Sequence, residues 1–308
     1  MRKLVLLLLA ALVAPASATA TAPGHNGRFA FIALDRHNRQ ALFTQFPNRT
    51  HLRGLRRGAI DSPAWSADGR RIAFTGEGGG ISVIRADGTH LKHFDAPANV
   101  SVDDPAFSPD GKRIAFTGYE VDPSFDESEI IDTAVYVGRL DGSRFKRVTA
   151  GYDPSWAPSG KRIAFVDRGA SDCTGIWLMD PDGTDFKRVT GTTAAQCRVF
   201  GDGGRSPDFS PNGRRIVYVR STKKVGNASE RNSEVFVVGR HGRGDHQVTD
   251  TRADDAHAPV FSPDGRYIAY GSFSTHASGE GEFVIPAGGG TPRRFRRDVR
   301  EVSWQPLR

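Results

Sequence analysis

Cysteine is nearly absent: the 308 residues hold two, with two methionines and only 8 lysines beside 34 arginines. Two thiols exclude a disulfide scaffold and a four-cysteine zinc site. There is no Gly-x-Ser-x-Gly nucleophile elbow, no phosphate-binding Gly-x-x-x-x-Gly-Lys-Ser/Thr loop and no His-Glu-x-x-His helix, so the common hydrolase, nucleotide-binding and metalloprotease signatures are missing. Gly76-Glu-Gly-Gly-Gly80 and Gly201-Asp-Gly-Gly204 are glycine-rich, but neither opens a helix, and both read as loops. The formal charge of +7 is spread along the whole chain. A nucleic-acid footprint needs a dense basic block, so no nucleic-acid partner is expected. After the first twenty residues no apolar run approaches the roughly 20 residues that span a bilayer.

What the chain has instead is turns. With 35 glycines and 18 prolines, the composition favours an all-β protein. The first segment is of another kind. Arg2 and Lys3 precede an unbroken apolar run from Leu4 to Val13, and Ala16-Ser17-Ala18 and Ala18-Thr19-Ala20 both offer small-x-small cleavage sites. This pattern predicts a signal peptide over residues 1–20, cut near Ala18 or Ala20. The mature chain, 21–308, is then expected to be a soluble single domain, secreted or held in the periplasm or cell envelope, without membrane insertion.

Five segments are nearly identical: Pro63-Ala-Trp-Ser-Ala-Asp-Gly-Arg-Arg-Ile-Ala-Phe74 and its counterparts from Pro105, Pro154, Pro207 and Pro259. Their turn glycines, Gly69, Gly111, Gly160, Gly213 and Gly265, are 42, 49, 53 and 52 residues apart. A period of this size marks a solenoid or propeller. In each copy an aromatic residue ends one strand, Ser-Pro-Asp-Gly makes a hairpin turn, and Arg-Ile-Ala-Phe begins a second strand with Ile and Phe on one face. A third apolar strand, a tight turn and a fourth strand such as Phe145-Lys-Arg-Val-Thr149 complete a four-stranded unit. Asn26-Gly-Arg-Phe-Ala-Phe31 matches the turn and second strand but lacks a first strand. Val302-Ser-Trp-Gln-Pro306 matches a first strand with nothing after it. The two ends together predict a sixth blade, with Trp304 paired to the strand of Phe29 to Phe31, so that the ring closes without a free sheet edge.

The Pro-x-aromatic-Ser-Pro-Asp-Gly-Lys/Arg-x-Ile-Ala-Phe unit resembles the WD-like repeat of TolB-type β-propellers, over nearly all of the mature chain. Related repeats occur in the propellers of prolyl oligopeptidases. The resemblance implies an all-β, six-bladed propeller standing alone, without the α/β domain that precedes the propeller in TolB, and binding as its role. It carries over no particular partner.

The candidate binding residues are those expected just ahead of each first strand, at one mouth of the central channel: Asp61, Asp104, Asp153, His257 and Glu301, with Asp103, Arg205, Asp254, Asp255 and Arg300 beside them. Converging carboxylates and a histidine suit a cationic partner group or a metal; they also suit local turn-forming roles ahead of proline. The acidic stretch Glu120 to Asp132 is oxygen-rich but lacks the EF-hand spacing, and reads as a loop rather than a calcium site. Arg243-Gly244-Asp245 falls at a strand turn and reads as a turn rather than an adhesion tripeptide. Cys173, in the second-to-third-strand loop of its blade, and Cys197, in the connector leaving that blade, emerge on one face and are expected to form a disulfide. That face also carries the longest loops, Gly118 to Thr133, Arg168 to Thr174, Gly191 to Arg205, Ser221 to Ser233 and Ser272 to Gly281, where binding usually resides. The expectation is therefore a non-catalytic monomer, with neither cofactor nor metal, that binds a protein or peptide on this face. Two alternatives stay open: an enzyme (hydrolase, lactonase or lyase) using acids at the channel mouth, or a carbohydrate or solute binder.

Overall fold

A computed structural model describes residues 21–76, 78–122, 130–167, 174–191, 204–223, 231–250, 254–274, 280–297 and 299–307. The expected signal peptide and both cysteines, Cys173 and Cys197, lie outside the described residues.

Every element among the described residues is a strand, and 24 strands form six four-stranded antiparallel sheets. Blade one joins the two ends of the chain: β24 (Val299–Leu307) is innermost, followed outward by β1 (His25–Leu34), β2 (Gln40–Gln45) and β3 (Arg53–Arg57). Phe29 pairs with Trp304 and Ala30 with Ser303, so the closure predicted from the two half-repeats is present. The other innermost strands are β4 (Ile60–Trp65), β8 (Val100–Phe107), β12 (Tyr152–Trp156), β16 (Arg205–Phe209) and β20 (Asp254–Phe261).

The Ile-Ala-Phe of each second strand explains the ring. Strand residues alternate between faces. In blade two, Ile60, Trp65, Ile72, Phe74 and Ile84 pack against Ala30, Ile32 and Leu42 of blade one. The opposite face, with Ala64, Ala73 and Val83, receives Phe107, Ile114, Phe116 and Tyr136 of blade three. Each blade thus sets large side chains on one face into the small residues of its predecessor. The same interlock continues through blades four, five and six and back to blade one.

The turns are as specific as their sequence. In Ser108-Pro109-Asp110-Gly111 the Ser108 hydroxyl reaches Asp110 Oδ1 at 2.6 Å and accepts from Arg113 N–H at 2.9 Å, while Gly111 takes φ 65°. The turns at Ser66, Ser210 and Ser262 repeat this geometry.

Two expectations differ in extent. The hairpins are prolonged into both ends of the segments read as loops at Gly118–Thr133, Ser221–Ser233 and Ser272–Gly281, whose middles lie outside the described residues: β9 (Arg113–Val121) pairs with β10 (Ile130–Arg139), β17 (Arg215–Lys223) with β18 (Arg231–Gly239), and β21 (Tyr267–Ser274) with β22 (Gly281–Pro286). Once paired, a strand continues past its repeat motif as long as its backbone groups find partners. The candidate mouth residues also lie inside the innermost strands rather than ahead of them, because each of those strands carries a bulge.

Candidate functional site

The bulge is the same in all six blades. Three steps along the inner strand oppose two on its neighbour, as between Asp103↔Thr117 and Ala106↔Ala115. Proline cannot donate to a ladder and is tolerated at edges and bulges, and five of the six repeats place one there. The residue before it adopts a left-handed backbone: Ser62 (φ 53°), Asp104 (51°), Asp153 (52°), Ser206 (50°) and Ala258 (48°), with Glu301 (59°) before Val302 in the sixth. Such non-glycine conformations are costly, and here they recur in register around the channel.

Five of these six residues are polar, and they bond from blade to blade. Glu301 Oε2 accepts the Ser62 N–H, and the Ser62 hydroxyl donates to Asp103 Oδ1. Asp103 Oδ1 also accepts the Asp104 N–H at 2.9 Å. Asp104 Oδ2 accepts from the Thr117 hydroxyl at 2.9 Å, and Thr117 Oγ1 accepts the Asp153 N–H at 3.0 Å. Asp153 Oδ2 accepts from Ser206 N–H at 2.9 Å and from its hydroxyl at 3.2 Å.

Asp104 and Asp153 are fully buried, and no backbone N–H, side-chain hydroxyl or amide reaches the Oδ1 of either. Burial, then the charges of Asp103 and Asp153, holds the Asp104 carboxyl well above the usual carboxylate range, against the hydrogen bond from Thr117. Burial also raises Asp153, against the neighbouring Asp104 side chain and the hydrogen bonds from Ser206. Asp103 is pushed up to about 6, first by burial and further by Asp61 and Asp153, against hydrogen bonds from Ser62 and the Asp104 amide. Tyr119 stands over the same group, its hydroxyl raised by burial and by the three carboxyls.

The chain of bonds runs from Glu301 through blades two, three and four to Ser206, and the next position is Ala258. His257 turns away from this chain. Its ring stacks on Phe273, centroids 4.2 Å apart, at the seam between blades six and one. A cavity of about 330 Å³ opens there, lined by Ile32, Leu34, Gln40, His257, Phe273 and Val299 among others. All of these stand at strand ends on the face of the prolonged hairpins.

The remaining sequence candidates divide. Asp61 is half-buried and accepts from Gln40 Nε2 at 3.2 Å, and Glu301 is half-buried at the start of the chain of bonds. Asp255 is exposed and accepts the Ser233 N–H at 2.9 Å; Arg205 donates to Ser233 Oγ at 3.0 Å. Asp254 and Arg300 belong to β20 and β24 by backbone. In the acidic stretch, Arg147 pairs with Glu120 at 2.9 Å and with Asp132. The Asp245 of Arg-Gly-Asp is held by the Tyr218 hydroxyl and Arg220, each at 2.7 Å. Among the described residues no group of three His, Cys, Asp or Glu has metal-holding geometry. Thr117, Ser206 and Tyr119 escaped the sequence reading because each belongs to a strand whose neighbour in the ring is distant in sequence.

No protein-family model matches the chain, and no curated protein sequence does. Solved structures do. The TolB of Acinetobacter baumannii aligns with a TM-score of 0.69 at 22% identity, over 91% of this chain and 67% of that one. An oligogalacturonate lyase in complex with manganese aligns with a TM-score of 0.61 at 14% identity, over 92% and 78%. A chain of the nidogen/laminin complex aligns with a TM-score of 0.64 at 11% identity, over 90% and 98%. At these identities the likeness is one of architecture: the chain folds as a six-bladed propeller of the TolB type.

Proposed function

We propose that this chain is an exported, non-catalytic binding propeller of the cell envelope, and that a protein partner docks on the face of the prolonged hairpins with a side chain in the seam cavity. The cavity itself carries the reading. It has an apolar wall (Ile32, Leu34, Phe273, Val299), a few polar groups (His257, Gln40) and a place beside the channel mouth on a rigid ring, which is the usual make-up of a recognition pocket. Leu34 is 58% exposed there. The half-buried Asp61 and Glu301 at the adjoining mouth favour a partner that brings a cationic group alongside its apolar one. The buried carboxyls support binding over catalysis because they bond between blades. The resemblance to TolB-type repeats carries the same expectation of a binding role.

A photocrosslinking residue at Leu34 in the native envelope tests this. One protein should be captured, and its capture should be lost in His257→Ala but kept in Lys112→Glu and Lys161→Glu on the opposite face. Loss only with the opposite-face changes would overturn the assignment. One observation favours a second reading: neighbouring buried carboxyls, Asp104 and Asp153, both raised by burial, suit acid–base chemistry, and one similarly folded structure is a lyase with manganese. Cleavage of oligogalacturonate that disappears in Asp104→Asn would establish that reading instead.

A further inference from the structure

The chain's first described residue lies in the middle of the molecule. From β1 the backbone runs back past the blade-six turn, where Gly24 N–H donates to Pro263 O at 3.1 Å, and brings Thr21 and Ala22 into the inner wall of the ring, with Thr21 only 4% exposed. There Thr21 meets Asp208, a wholly buried carboxyl on the innermost strand of blade five. In the other blades this position is Ala64, Ala106, Ser155, Val260 and Ser303, so Asp208 is its one ionisable occupant.

Both Asp208 oxygens accept backbone N–H groups: Oδ1 from Thr21 at 3.3 Å, Oδ2 from Phe261 at 2.9 Å. The Thr21 hydroxyl lies 2.6 Å from Oδ2, and the Ser155 hydroxyl 3.4 Å from Oδ1. This is the surrounding of an ionised carboxylate. A buried carboxylate needs a counter-charge, yet among the described residues no arginine, lysine or histidine pairs with Asp208. The nitrogen that could supply the charge is that of Thr21, and it follows Ala18-Thr19-Ala20, one of the two small-x-small sites in the leader.

We infer that export processing cuts the Ala20–Thr21 bond and that the new Thr21 α-ammonium forms a buried ion pair with Asp208 in the channel wall. Hydrolysis of that amide releases the leader with a carboxylate on Ala20 and leaves a protonated amine on Thr21, the cation that the site lacks in the precursor. Processing then strengthens the propeller: the chain that still carries its leader has a neutral amide at Thr21, and burial pushes the Asp208 carboxyl up to about 7. The inference rests on the export reading, and does not depend on what docks on the other face.

The mature protein, recovered after export of the full chain, should have Thr21 as its N-terminal residue by intact mass. A start at Thr19, or at any other residue, overturns the inference while leaving export intact; an uncut chain overturns both. In the folded mature protein the Thr21 amine should react with an acylating reagent at least tenfold more slowly than in the unfolded protein. Reaction at the unfolded rate would refute the pair. Retaining Ala20 should lower the unfolding free energy enough to raise the unfolding constant about tenfold or more, and Asp208→Asn should abolish that difference. If Asp208→Asn does not fold, the wild-type comparison of the two N-termini decides alone, because a bond to a neutral amide would leave them equally stable.

Discussion

The repeated left-handed residue is the most demanding single feature of the chain. At Ser62, Asp153 and Glu301 the side chains join neighbouring blades and offset the backbone cost with hydrogen bonds. At Ala258, φ 48° and buried, no polar atom offsets it. A left-handed non-glycine residue costs about 1–2 kcal/mol, and glycine gives back about 0.4–1 kcal/mol through the unfolded chain. Ala258→Gly should therefore be neutral or stabilise by up to about 1 kcal/mol in urea unfolding, whereas Ala258→Val should destabilise by about 2 kcal/mol or more, because a branched side chain resists that conformation. An Ala258→Gly protein weakened by about 1 kcal/mol, as in an ordinary strand, would contradict the role given to the bulge.

At the scale of elements, the blades are fastened by devices that recur with the repeat. In three of the five repeats the arginine two places after the turn glycine reaches over the aromatic of the following blade: Arg71 over Phe107 at 5.3 Å, Arg113 over Trp156 at 4.6 Å and Arg215 over Phe261 at 5.5 Å, while Tyr267 takes that place in blade six. Arg162 departs from this, turning to Asp180 and Asp185 of its own blade. The closing strand is the exceptional element, since its neighbour in the ring lies at the other end of the chain. Trp304 packs on Phe29 with centroids 4.5 Å apart, in a cluster with Phe31, Phe295 and Val302. Trp304→Ala should cost about 3–5 kcal/mol. Deleting 301–308 should abolish cooperative thermal unfolding, because it leaves β1 and the flank of blade six uncovered; calorimetry showing an unchanged transition would refute ring closure as a source of stability.

Over the whole molecule, buried acids outweigh buried bases and set the dependence of stability on pH. Burial raises Asp103 to about 6 and, with Glu301 beside it, Glu282 to about 8, and it raises Asp104 and Asp153 as well, so the folded state keeps protons that the unfolded chain releases near pH 4. Their contribution is complete below that value and is lost as pH rises, between about 4 and 6 for Asp103 and between about 4 and 8 for Glu282, at about 1.4 kcal/mol per pH unit for each group within its window. Surface acids act in the opposite sense. Asp35, although desolvation opposes it, is lowered to about 2 by the Arg39 and His37 amides, and stability from such groups falls only in more acid solution. The melting temperature should peak near pH 5 and decline towards pH 8; a melting temperature that climbs across that interval would show that the ring's carboxyls ionise at no cost.

Local order was legible in the sequence because the repeat is a local code. Five copies of a turn with glycine at its left-handed position, followed by Ile-Ala-Phe, specify hairpin, strand and facing within a dozen residues, and the half-repeats at Asn26 and Val302 specify closure. The same period gave Asp61, Asp104, Asp153 and Glu301 neighbouring places in the repeat, which the structure has inside the innermost strands, with Asp104 and Asp153 buried. What the sequence could not supply is contact between blades. Asp153 accepts from Ser206 in the next blade, His257 faces the blade-one seam rather than the acids, and Thr21 lies against Asp208, 187 residues away. Those relations depend on the twist and wedge of six sheets around a common axis. They brought a fully buried carboxyl and a particular backbone nitrogen together with no pattern in the chain to announce it.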